Sequence, residues 1–89
     1  MTNSQKNLIE QQLFLGENNP DKQWAKVYCD TLAKFRYENE QTLLDMRYGQ
    51  HKSRYNIMKK LNMTKDAYYY SLRKVLNFSF ARAKELKLI

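Results

Sequence analysis

The chain has 89 residues, enough for one domain with a modest hydrophobic core but not for a second domain. Two glycines and one proline are too few for the many turns of a β-sandwich or barrel, whereas abundant Leu, Lys, Gln, Arg and Glu favour helices. The formal net charge of +7 is uneven, because residues 46–89 carry +9 and residues 1–45 carry −2. A basic half of this kind favours a nucleic-acid partner.

The first predicted element is a short helix over residues 4–15, with Ser4 as its cap and Gly16 just beyond its end. Its apolar stripe is narrow and consists of Leu8, Ile9, Leu13 and Phe14. Residues 1–18 are therefore predicted to be an N-terminal segment, either helical or flexible. They precede a helical domain that spans residues 19–89.

Two helices are predicted in the middle of the chain. The first starts with Asn19 as its cap and Pro20 in its first turn, and it runs to about residue 36 or 37. Its apolar face follows a helical period and comprises Trp24, Val27, Tyr28, Leu32 and Phe35. The second helix is capped by Asn39 and runs to about residue 48, where Gly49 closes it in the left-handed conformation.

The next two predicted helices are joined by a tight turn. Ser53 caps a helix that ends at about residue 61, and Thr64 caps the last helix of the chain. Between them, Asn62 can adopt a positive φ and Met63 is predicted to be the buried residue of the turn. Within the run of three tyrosines, Tyr68 is predicted to point inward.

The last helix has an apolar side that is wide for a small domain. Phe78 and Phe80 lie on either flank of that side. The helix is therefore expected to break near Asn77, or one of the two phenylalanines is expected to pack on the N-terminal segment or on a second subunit.

The ordered set of helix, turn and capped helix over residues 53–76 predicts a helix-turn-helix, whose second helix enters the major groove of DNA. The residues predicted to face bases or the groove are Thr64, Lys65, Asp66, Tyr69, Tyr70 and Arg73. The residues predicted to contact phosphates are Lys52, Ser53, Arg54, Lys59, Lys60 and Lys74.

Other chemistry has little support in the residues. Cys29 is the only cysteine, so an internal disulfide is excluded, and its apolar neighbours predict a small core residue. His51 is the only histidine and is predicted to be a loop residue, not a metal ligand. The chain shows no paired carboxylates, no nucleophile with a base, no metal cluster and no glycine-rich phosphate loop. We therefore expect no enzyme activity, no cofactor and no bound metal.

Neither a leader-like apolar run after the first residues nor a stretch of about 20 apolar residues is visible. These absences predict a cytoplasmic protein without a membrane partner.

Four segments together resemble region four of bacterial sigma factors, and more closely the small phage and prophage transcriptional regulators of the ArpU and RinA type. They are residues 42–49, 53–61, 62–64 and 68–76, in which Met46-Arg47-Tyr48 stands for the family's Leu-Arg-Tyr-like triplet and Asn62 for its turn glycine. The resemblance covers under half of the chain. It implies an all-α domain of four or five helices with a C-terminal helix-turn-helix, and sequence-specific binding of double-stranded DNA that controls transcription.

Alternative functions stay open at this point. The chain could be a non-catalytic protein-binding module that targets RNA polymerase, a sigma factor or a host defence protein. RNA binding is a weaker hypothesis, because the aromatic residues lie on a helix and not on an exposed sheet that stacks bases. RNA polymerase and a second copy of the chain are further candidate partners, with the N-terminal segment and the Phe78/Phe80 flank as contact surfaces.

Overall fold

A computed structural model describes all 89 residues. It has five helices joined by turns and loops and no strand, which confirms the predicted all-α class. The helices are α1 (Asn3–Leu15), α2 (Lys22–Lys34), α3 (Asn39–Leu44), α4 (Arg54–Leu61) and α5 (Lys65–Glu85). A 3-10 turn, Gly16–Asn18, follows α1, and a π-helical turn, Asp45–Gly49, extends α3.

The start of α1 differs from the prediction, because Thr2 and not Ser4 is the cap. The Thr2 hydroxyl accepts a hydrogen bond from the Gln5 amide at 3.1 Å, and the Gln5 side chain accepts one from the Thr2 amide at 2.8 Å. This reciprocal capping box satisfies two otherwise free donors at the end of the helix. Gly16 ends α1 as predicted, with a φ of 62° that suits a residue without a Cβ atom.

The predicted cap and end of α2 were also wrong. Asp21 is the cap, and its carboxylate accepts from the Gln23 and Trp24 amides. Asn19 instead forms a turn just before the helix, since its side chain accepts from the Asp21 amide at 2.9 Å and donates to Gln12 at 2.7 Å. The helix stops at Lys34 and the chain turns away through Tyr37, which has a φ of 67°.

Helix α3 begins at Asn39, with Glu38 in the cap position, so the prediction that Asn39 is the cap was wrong by one residue. Gly49 does not close the helix in the left-handed conformation either, because the residue with a positive φ in this loop is His51, at 55°. Gly49 serves a close approach instead. A Cβ atom there would lie 3.0 Å from the Asp45 carboxylate and 3.2 Å from the Tyr28 hydroxyl.

The helices enclose one hydrophobic core, to which α1 contributes Ile9 and Leu13. The other buried apolar residues are Trp24, Val27, Tyr28, Phe35, Leu43, Leu44, Tyr48, Ile57, Tyr68, Leu72, Val75, Leu76 and Ala83. Cys29 is exposed, contrary to the prediction. Val27 and Tyr28 already occupy the inward face of α2, and the next residue is rotated by about 100° to its solvent side.

Helix α5 is the central element and stays continuous through Asn77, so the predicted break is absent. Phe78 instead packs edge-on against Phe35, with the ring centres 6.0 Å apart. A buried pair of hydroxyls, Thr31 and Ser79, at 3.1 Å ties α2 to α5. None of the five helices combines the length and the apolar character needed to cross a membrane.

Candidate nucleic-acid interface

Helices α4 and α5 are joined by three residues, and the predicted caps and the left-handed turn residue in this segment are confirmed, whereas Met63, predicted to be buried, is only half-buried. The Ser53 hydroxyl accepts from the Asn56 amide at 3.2 Å, and the Thr64 hydroxyl accepts from the Ala67 amide at 3.2 Å. Asn62 adopts φ 51° and ψ 49°, the left-handed region. The Met63 amide donates to the Met58 carbonyl at 2.9 Å, which closes the end of α4 against the turn.

Buried side chains attach α4 and α5 to the core of the protein. Ile57 of α4 is fully buried, and Tyr68 and Leu72 of α5 are almost so. Met63 is half-buried and packs against the same core. Because only one face of each helix is used for packing, the opposite face of α5 is left for contact with a partner.

Every residue predicted to read bases is exposed, and Asp66, Tyr69, Tyr70 and Arg73 lie on that opposite face. Thr64, Lys65, Asp66, Tyr69, Tyr70 and Arg73 are all exposed in the first three turns of α5. Tyr68 points inward as predicted, while the side chains of Tyr69 and Tyr70 are 41% and 63% exposed. All six predicted groove residues are therefore accessible at the surface of the protein.

One predicted phosphate residue contacts this surface directly. Arg54, the first residue of α4, donates from its Nη1 atom to the Tyr69 hydroxyl at 2.6 Å, and its guanidinium lies 5.7 Å from the centre of the Tyr69 ring. Tyr69 is a neutral partner, so the charge of Arg54 is not compensated. The contact holds the start of α4 beside α5.

The remaining predicted phosphate residues divide into two groups. Lys52, Ser53, Lys59 and Lys60 are exposed and form no ion pair. Lys74 is different, since its ammonium lies 3.3 Å from the Glu40 carboxylate and 5.7 Å from the centre of the Tyr70 ring. The structure thus places Lys74 in an internal contact with α3.

Most of the basic side chains form no ion pair. Of the sixteen Lys and Arg side chains, the four in ion pairs are Lys26, Arg47, Lys74 and Arg82. The other twelve have no carboxylate partner. Those on α4 and in the first turns of α5 are Arg54, Lys59, Lys60, Lys65 and Arg73. Uncompensated positive charge is what attracts a polyanion over a distance.

A network missed by the sequence analysis lies behind this face. Arg47 donates to Glu10 of α1 at 3.0 Å and to the Tyr68 hydroxyl at 3.1 Å. It therefore connects α1, the π-helical turn and α5 through one guanidinium. Glu10 and Tyr68 lie 37 and 21 residues from Arg47 in the chain, so no local sequence pattern predicts these contacts.

The hydroxyl of Tyr48, beside this network, is buried and has no hydrogen-bond partner. Burial raises the pKa of Tyr48 above its usual value, and the negative charge of Glu10 raises that pKa further, while the adjacent guanidinium of Arg47 opposes part of this rise. The neutral phenol is therefore strongly favoured in the folded protein.

Metal-binding residues do not cluster. No group of three or more His, Cys, Asp or Glu side chains is arranged to hold an ion. His51 lies in the loop before α4, as predicted, and its ring stacks on Phe14 with the ring centres 5.4 Å apart.

Comparison of the chain with protein-family models, with curated proteins and with solved structures gave no match.

Proposed function

We propose that the chain is a sequence-specific regulator of transcription that binds double-stranded DNA through a helix-turn-helix formed by α4 and α5. The observation that carries this proposal is the exposed first half of α5, which follows a left-handed Asn62 and a Thr64 cap and bears uncompensated basic and aromatic side chains. A helix with these properties fits the width of the major groove.

Binding would proceed in two stages. The uncompensated cations of α4 and α5 first draw the protein to the phosphate backbone, with release of counterions. Helix α5 then enters the groove, where Arg73 and Lys65 can donate to guanine and Tyr69 and Tyr70 can contact phosphates or thymine methyl groups. The start of α5 at Thr64 points its free amides at the backbone.

Phosphate contacts are assigned to the exposed residues Lys52, Ser53, Arg54, Lys59 and Lys60. Lys74 is left out of this set because Glu40 already neutralises it. These contacts fix the position of the protein on the duplex but do not read sequence.

The resemblance to sigma region four and to phage regulators of the ArpU and RinA type supports a role in phage or prophage transcription. It relies on the segment from Thr42 to Leu76, which in the structure runs from α3 into α5. RNA polymerase and a second copy of the chain remain candidate partners under this proposal.

Selection from a random-sequence duplex library at two salt concentrations tests the function. The wild type should enrich one motif, and the double variant Tyr70→Ala with Arg73→Ala should lose it. Lys84→Ala is a matched control, because Lys84 belongs to the same helix but lies about 16 Å beyond Arg73. It should enrich the wild-type motif. No enrichment by the wild type would overturn the proposal.

A second candidate function is a protein-binding module directed at RNA polymerase, a sigma factor or a host defence protein. The observation that favours it is the exposure of Tyr55 and Tyr70, at 71% and 63%, since tyrosine is enriched where proteins bind one another. Capture of a defined protein by a chain that enriches no DNA sequence would support this alternative.

A further inference from the structure

We infer that α1 is part of the DNA interface, and that Lys6 and Arg54 together hold one backbone phosphate in a cleft between α1, α4 and α5. The inference rests on the proposed function and adds a contact to it. No local sequence pattern assigns α1 to DNA binding, because its residues lie about 50 positions before the helix-turn-helix.

The cleft has a volume of about 470 Å³. Lys6 is on one wall, and Ser53, Arg54 and Tyr55 at the start of α4 are on another. Tyr69 belongs to its α5 wall, and Glu10 and Arg47 also line it. Helix α1, which is distant in sequence, thus meets the start of α4 and the side of α5 around one opening.

The cleft carries a net positive charge that no protein group cancels. Glu10 is its one carboxylate and is neutralised by Arg47 at 3.0 Å. Lys6 and Arg54 form no ion pair, and Arg54 donates only to the neutral hydroxyl of Tyr69. Two exposed cations therefore face the opening, one as a compact ammonium and one as a planar fork. Both are suited to a phosphodiester.

Lys6 does not reach the cleft from a loose arm. Three residues further on, Ile9 is fully buried, and Leu13 is nearly so. Glu10 holds the same helix to Arg47. The backbone that carries Lys6 is therefore fixed relative to α5 before any ligand binds, and little ordering is needed on binding.

Lys6 also lines a second, smaller depression of about 250 Å³, together with Tyr69 and Arg73. It therefore lies between the start of α4 and the side of α5 that is proposed to read bases. A phosphate held there would belong to the strand that borders the groove occupied by α5, which is where phosphate contacts set the register of a reading helix.

The salt dependence of binding to the enriched duplex tests this contact. Each neutralised phosphate contributes a slope of about −0.9 to log K against log salt. Lys6→Ala should make the slope shallower by up to about one such unit, because Arg54 still faces the same phosphate, and should leave the preferred sequence unchanged. The control is Lys34→Ala, which removes an unpaired lysine beside Arg82 and Glu85, of which Arg82 lies about 27 Å along α5 from Thr64. It should keep the wild-type slope.

Ethylation of single phosphates locates the contact. One ethylated phosphate should weaken the wild type and have a smaller effect on Lys6→Ala, in which Arg54 alone faces that phosphate. If the wild type enriches no motif, the proposed function fails. If it enriches one while Lys6→Ala matches Lys34→Ala in slope and phosphate pattern, only the inference about α1 is overturned. Circular dichroism melts of both variants are the control for folding, and each should show a cooperative transition.

Discussion

At the scale of single residues, two buried tyrosines lie beside Arg47 with different hydrogen-bond states. The Tyr68 hydroxyl accepts from Arg47 at 3.1 Å, whereas the Tyr48 hydroxyl has no partner. A buried polar group without a partner has lost its bonds to water and gained nothing in return. Tyr48 and Tyr68 therefore allow the contribution of a buried hydroxyl to the free energy of unfolding to be compared with and without a hydrogen bond.

Replacement of each tyrosine by phenylalanine should change stability in opposite directions. Tyr68→Phe should lower the free energy of unfolding by about 1 kcal/mol, because a donor of Arg47 loses its acceptor. Tyr48→Phe should leave it unchanged or raise it by up to about 1 kcal/mol. Urea unfolding at pH 7 measures both. An equal loss in the two variants would show that Tyr48 has a partner in solution.

The substitution Tyr48→Phe should also change how stability depends on pH under alkaline conditions. Burial and the nearby Glu10 raise the pKa of Tyr48 in the folded protein, whereas in the unfolded chain the phenol ionises near its usual pKa of about 10. The stability that depends on the protonated phenol is therefore complete below about pH 10 and is lost as the pH rises further. Tyr48→Phe should lose less stability than the wild type between about pH 9 and pH 11.

At the scale of elements, helix α5 combines internal support and an external surface in adjacent positions. Lys74 is bound to Glu40, which is only 7% exposed and also accepts from Ser71 at 2.7 Å. Arg73, the residue before it, is exposed and has no ion pair. Neighbouring basic residues on one helix thus lie in different environments.

Alanine substitutions at these two positions should separate stability from DNA binding. Lys74→Ala should lower the free energy of unfolding by about 1 kcal/mol, because Glu40 is left with a single partner, and should bind the enriched duplex nearly as the wild type does. Arg73→Ala should stay within about 0.5 kcal/mol of the wild type in stability and should have a weaker sequence preference. Weak DNA binding by a fully stable Lys74→Ala protein would restore Lys74 to the phosphate contacts.

The ends of the helices show which local features could be predicted from the sequence. Ser53, Asn62 and Thr64 were predicted correctly because each acts within three residues of its own position. Ser4 and Asn19 were predicted as caps incorrectly, because Thr2 and Asp21 are equally good caps within two residues of them. Local chemistry identifies the existence of a helix more reliably than its first residue.

At the scale of the whole molecule, α1 and the helix pair share one core and one charged network. Ile9 and Leu13 pack into the same cluster as Tyr68 and Leu72. Arg47 joins Glu10 to Tyr68 across that boundary. These contacts link residues that are far apart in the sequence. The uneven charge could be counted from the sequence, but the proximity of Lys6 and Arg54 in one cleft could not be predicted from it.

The most direct test of the central claim is the affinity of the wild type for its enriched duplex and for a shuffled duplex of equal composition, at physiological salt. We predict a preference of about a thousandfold or more, as specific DNA readers show. The preference should fall by at least about tenfold in Arg73→Ala, while binding to the shuffled duplex weakens only slightly. Equal affinity of the wild type for both duplexes would contradict the assignment of α5 as a reader of DNA sequence.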